Sequence, residues 1–114
     1  MIIDSRQLVF SESAVLKAFR WYVQAQGQSD LPHGVVSRIA LSETPCRVTV
    51  FVQRHGASRF DEFPFSGNKL TGVILYFCKK QKVPVPREAL KTLRVEDNFL
   101  VMDITRKIPT LSPA

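Results

Sequence analysis

Apolar residues recur along this chain with two different periods. Leu70, Val73, Ile74, Phe77 and Cys78 fall at i, i+3, i+4, i+7 and i+8, the stripe of an amphipathic helix. Val15, Ala18, Phe19, Tyr22 and Val23 repeat that spacing, and Leu16 widens the face. Ser11 and Ser66 stand where N-caps belong, each behind a phenylalanine able to staple the first turn, and Gly27 is placed to stop the first helix. The second period is two. Arg47, Thr49 and Phe51 alternate with Val48, Val50 and Val52, which predicts a half-buried strand. A run at 35–41 precedes it across Ser42-Glu43-Thr44-Pro45, and runs at 89–95 and 99–105 flank the turn residues Glu96-Asp97-Asn98.

The two helical stretches sit at corresponding places in two similar halves, about 10–57 and 65–106. Phe10-Ser11 aligns with Phe65-Ser66, and Leu31-Pro32 with Val85-Pro86, after one residue of slippage. Each half reads as a helix, an extended segment before proline, then two strand-like runs. Pro86 would also suit the first position of a short helix over 86–93. The corresponding Gly34-Val35-Val36 is a poor helix former and favours a strand there. The expected fold is therefore α+β, a single domain over 1–107 with the order α-β-β-α-β-β. Its antiparallel or mixed sheet carries both helices on one face. Residues 2–10 add a short edge strand, and 108–114 form a flexible tail. The expected core sets Val15, Phe19, Tyr22, Leu70, Val73, Ile74 and Phe77 against Val48, Val50, Val52, Leu100 and Met102, with Trp21 and Tyr76 at its edge.

Composition supports a packed core. The chain has 114 residues, 45% apolar and 23% charged, and its eight phenylalanines are core-filling rings. Cys46 and Cys78 are too few and too far apart for a disulfide framework. Met1-Ile2-Ile3-Asp4 has neither the basic nor the apolar region of a secretory signal. The longest uncharged apolar run, 70–78, is under half the ~20 residues of a membrane helix. These features predict a cytoplasmic protein that avoids the membrane, with both thiols reduced and acting as small buried hydrophobes.

Charge changes the picture. The net charge is +6, and between 69 and 94 seven cations face the single acid Glu88, so this segment carries a net charge equal to that of the whole chain. Lys79, Lys80, Lys82, Arg87, Lys91 and Arg94 are the candidate contacts to an anionic ligand, an acidic protein surface or nucleic acid. Lys79, Lys80 and Lys82 also end a helix, where cations complement the macrodipole without any partner. A helix at 86–93 would make 70–93 a helix-turn-helix with 99–105 as its wing. The chain has no aromatic ribonucleoprotein motif, no zinc knuckle and no recognition helix dense in Arg, Asn and Gln.

One string carries possible chemistry. Val48-Thr49-Val50-Phe51-Val52-Gln53-Arg54-His55-Gly56-Ala57-Ser58 resembles the opening of the histidine phosphatase family. The resemblance implies His55 as the nucleophile that takes a phosphoryl group and Arg54 as its clamp. That family also needs a second histidine downstream, and none follows His55. A polar loop with Gly56 free to take positive φ accounts for the same residues. His33, His55, Cys46 and Cys78 lack the close spacing of a zinc site, so no metal and no cofactor are expected. Asp61-Glu62 point opposite ways on extended chain, and the five glycines form no phosphate loop. The expected function is a non-enzymatic binding or adaptor module for a protein or anionic ligand, without assigned catalytic residues. Nucleic-acid binding through 69–94 is the alternative, and phosphate chemistry through Arg54-His55 the third reading. A groove between pseudo-symmetric halves, or a homo-oligomer, is compatible with this pattern.

Overall fold

The computed structural model describes residues 1–25, 34–53 and 58–111. Eight elements follow in order: β1 (Ile2–Phe10), α1 (Glu12–Gln24), β2 (Val35–Ser42), β3 (Arg47–Gln53), β4 (Phe60–Phe65), α2 (Gly67–Lys80), β5 (Leu90–Glu96) and β6 (Phe99–Ile108). The architecture is α+β, with both helices and all four expected runs present. Two expectations need correction. There are two three-stranded antiparallel sheets, ordered β1-β6-β5 and β2-β3-β4, where a single sheet was expected. Ile108, which was expected to lie beyond the folded domain, still pairs with Ile2. The likeness of the two halves remains an expectation.

The split into two sheets follows from two strands. β1 is a full nine-residue strand that pairs along its whole length with β6, from Ile2 opposite Ile108 to Phe10 opposite Leu100. β4 pairs with β3, Phe65 lying opposite Val48 and Phe63 opposite Val50. β4 tolerates Pro64 because it is an edge strand. Residues 86–93 do not form a helix: Arg87 and Glu88 turn, and β5 starts at Leu90. β5 and β6 join through Asp97 (φ 50°) and Asn98 (φ 63°), a two-residue turn of the left-handed kind that matches strand twist. Asn98 Nδ2 donates to Glu12 Oε2 at 2.6 Å, fastening this turn to the start of α1.

The helices begin differently. Ser11 Oγ accepts from the Ala14 amide at 3.2 Å, as an N-cap should. Ser66 makes no side-chain capping bond; Gly67 follows it at φ 56°, a left-handed entry open to glycine. The stop expected at Gly27 lies outside the described residues.

One core joins all layers. α1 touches β1, β2 and β6, and α2 touches β3 and β5, so each helix bridges both sheets. Val15, Phe19, Leu70, Val73, Ile74 and Phe77 are buried with Val48, Val50, Val52, Leu100 and Met102. Tyr22 is only half-buried, packing edge-on against Phe65 and Tyr76. Trp21 and Tyr76 sit at the core's edge as expected, Trp21 5.2 Å from the Phe77 ring. On the opposite face of each sheet one apolar residue is shielded outside this core. Phe51 (8% exposed) lies under the Arg38 guanidinium, 3.8 Å from the ring centroid, and Val101 (4%) lies opposite Arg94.

Candidate anion-binding cleft

The lysines at the end of α2 owe their placement to an unusual helix stop. The Val83 amide donates to the Cys78 carbonyl at 2.8 Å and the Lys82 amide to the Lys79 carbonyl at 3.2 Å. This is the paired-bond Schellman ending, whose left-handed residue is usually glycine. Here it is Lys82, at φ 61°. The ending satisfies the carbonyls of Cys78 and Lys79 within the chain itself, so these do not face outward as bare acceptors.

After this stop the sequence alternates valine and proline. Pro84 and Pro86 have no amide to give a strand, so Val83-Pro84-Val85-Pro86 runs without ladder pairing to the 87–88 turn. Val83 and Val85 turn half-buried side chains onto the core. The Arg6 guanidinium on β1 donates to the Pro84 carbonyl and ties the segment down.

Between the end of α2, this segment and the start of β5 opens a cleft of about 730 Å³. Leu75, Cys78, Val83, Pro84 and Val85 form its apolar surface, and Lys79, Lys82, Arg87 and Lys91 supply charge. Among the described residues no carboxylate lines it. Among the described residues, no acidic side chain forms an ion pair with Lys79, Lys82 or Arg87. The nearby Glu88 turns instead to Arg106, at 3.5 Å. Lys91 is partly committed, its ammonium donating to the carbonyls of Arg87 and Ala89 at 3.0 Å each. Burial pushes the Cys78 thiol up from its ordinary value, and the positive field of Arg6 offsets this only in part. The cleft thus offers an ammonium-rich rim, a guanidinium and a neutral apolar floor.

Four of the six candidate residues therefore meet in one place. Lys80 points to the other side of α2, where it lines a smaller cleft of about 380 Å³ with Trp21, Gln24, Ala25 and Tyr76. Arg94 does not join either cleft. It lies on the solvent-facing side of its sheet, donating through Nε to Asp103 Oδ2 at 2.9 Å and pairing with Glu96. Gln7 donates to the other oxygen of Asp103 at 3.0 Å. Hydrogen bonds from Arg94 and Gln7, and the Arg94 charge, hold the Asp103 carboxyl below its usual range against a smaller opposing effect of burial. The Arg94 cation is thereby spent inside the protein.

No known protein family, curated protein or solved structure matches this chain. Arg54, His55 and His33 lie outside the described residues; the part of the phosphatase-like string before them is β3. Among the described residues no three His, Cys, Asp or Glu side chains gather as a metal site would require. No described helix is long and apolar enough to cross a membrane. Neither cysteine is disulfide-bonded; Cys78 is buried as expected, whereas Cys46 is only half-buried, in the turn before β3.

The sequence pattern missed two partners of the cleft. The apolar floor was visible as Val83-Pro84-Val85 directly behind three lysines, a juxtaposition that charge counting passes over. Arg6 was not visible at all, because it arrives by the pairing of β1 with β6.

Proposed function

We propose that this protein is a non-enzymatic binding module that captures an anionic ligand in the cleft at the end of α2. The observation that carries the reading is the gathering of Lys79, Lys82 and Arg87 around one concave surface with no carboxylate among the described residues that line it. Three cations that merely complemented a helix end would be expected to spread over solvent and to meet nearby acids. These converge, and the acid closest in sequence is held elsewhere by Arg106. The carbonyls of Cys78 and Lys79 are bonded to the Val83 and Lys82 amides, so they are not bare acceptors for these lysines. A cleft of this size is within the range of small-ligand sites.

Calorimetric titration with pyrophosphate tests the proposal. Binding should weaken as salt rises from about 0.1 M to 1 M, where the screening length shrinks from ~10 Å to ~3 Å. The triple change Lys79→Gln, Lys82→Gln, Arg87→Gln should abolish it and leave the fold intact. Equal binding by the triple variant would refute the assignment. Tighter capture of duplex DNA, with a log–log salt slope near −0.9 per phosphate neutralised, would move the function to nucleic-acid binding.

A further inference from the structure

The cleft's charges and its floor ask for different parts of one ligand. A site for a simple inorganic anion needs donors around a polar hollow. This one sets its cations beside five apolar or neutral side chains, Leu75, Cys78, Val83, Pro84 and Val85. The two prolines fix the backbone of the floor, and the bond from Arg6 to the Pro84 carbonyl anchors it. Neither this anchored segment nor the helix that faces it has to be ordered on binding, which keeps the entropic cost low. Among the described residues no aromatic ring lines the cleft to stack on a base, and the floor suits an aliphatic body.

The charge complement points to the head group. Lys79, Lys82 and Arg87 have no acidic partner among the described residues, and Lys91 keeps one ammonium proton beyond the two given to carbonyls. A carboxylate would leave most of this charge uncompensated. A phosphate monoester, close to dianionic at neutral pH, matches it better and can take the Arg87 fork through two oxygens. Resting on the reading of the cleft as an anion site, we infer that its ligand is an amphiphile: a phosphate monoester on an aliphatic chain, head at Lys79, Lys82 and Arg87, chain along Leu75, Val83 and Val85.

Calorimetry of the full chain with methyl, butyl, hexyl and octyl phosphate, each below its micelle-forming concentration, decides this. A methylene fully removed from water contributes about fourfold in affinity. In an open cleft about half of that is expected, so octyl phosphate should bind roughly a hundredfold tighter than methyl phosphate. Val85→Ser should flatten the dependence on chain length, weakening octyl phosphate far more than methyl phosphate. Lys82→Gly should weaken the whole series. Equal affinities across the series would overturn the inference while leaving the anion site standing, whereas no binding by any member would remove both. Octyl glucoside binding as tightly as octyl phosphate would overturn it, because the cations would then play no part. So would capture of phosphatidic acid vesicles without uptake of soluble octyl phosphate, since the cleft is sized for one amphiphile rather than a bilayer face.

Discussion

Lys82 closes α2 in the left-handed conformation, at φ 61°, where the Schellman ending normally recruits glycine. An L-residue held there costs about 1–2 kcal/mol relative to glycine. Glycine loses roughly 0.5–1 kcal/mol of that advantage through its larger entropy in the unfolded chain. Removing the ammonium from a helix end forfeits a further 0.3–1 kcal/mol or so. Lys82→Gly should therefore leave stability near its original value. Lys82→Ala loses the same charge and keeps the strain, so the glycine variant should exceed it by about 0.5–1 kcal/mol. That order is the reverse of the usual helix preference for alanine. In a domain of this size the gap corresponds to about 2–8 °C in Tm, readable by calorimetric melting of the two variants side by side. An alanine variant as stable as the glycine variant would refute the strain at Lys82. Both should lose ligand affinity alike, which separates the role of the side chain in the cleft from that of the backbone beneath it. A residue held at a strained position beside a cleft is an observation from which function can be argued.

Two further predictions address the frame around the cleft. Ile74 is fully buried in the core, so Ile74→Ala should cost about 2–5 kcal/mol in denaturant unfolding, and an unchanged midpoint would contradict the helical face assigned to α2. Asp103 is held below the ordinary carboxylate range, chiefly by its hydrogen bond from Arg94, so its ionised form stabilises the fold above about pH 4 and that contribution fades as pH falls through the lowered value. Asp103→Asn should be less stable than the native chain at neutral pH, with the difference vanishing on acidification; a difference that grew toward low pH would reverse the assignment.

Local signals along the chain carried well into the structure, and distant pairing did not. The 3.6 period of 70–78 and the positions of Ser11 and Ser66 marked both helices, although only Ser11 forms a capping bond, because those cues depend on neighbours within a turn or two. The alternation of 47–53 placed β3 at its full length. Phe60-Asp61-Glu62-Phe63-Pro64-Phe65 gave no strand signal. Adjacent acids and a proline oppose strand propensity, and only pairing with β3 overrides them. β1 was visible as an edge, yet its partner β6 lies about a hundred residues away, beyond any local cue. That same pairing hid the contribution of Arg6 to the cleft. Charge counting found the basic segment but could not sort its members, since counting does not separate a cation facing a cleft, such as Lys79, from one neutralised by Asp103, as Arg94 is.

Mapping amide chemical shifts on titration with pyrophosphate tests the central claim most directly, because it asks where an anion binds and not only whether it does. Saturable shifts are expected only at Lys79, Lys82, Val83, Val85, Arg87 and Lys91, with β2, β3 and β4 undisturbed. Saturable shifts centred on another surface, or none at this cleft at low salt, would contradict it.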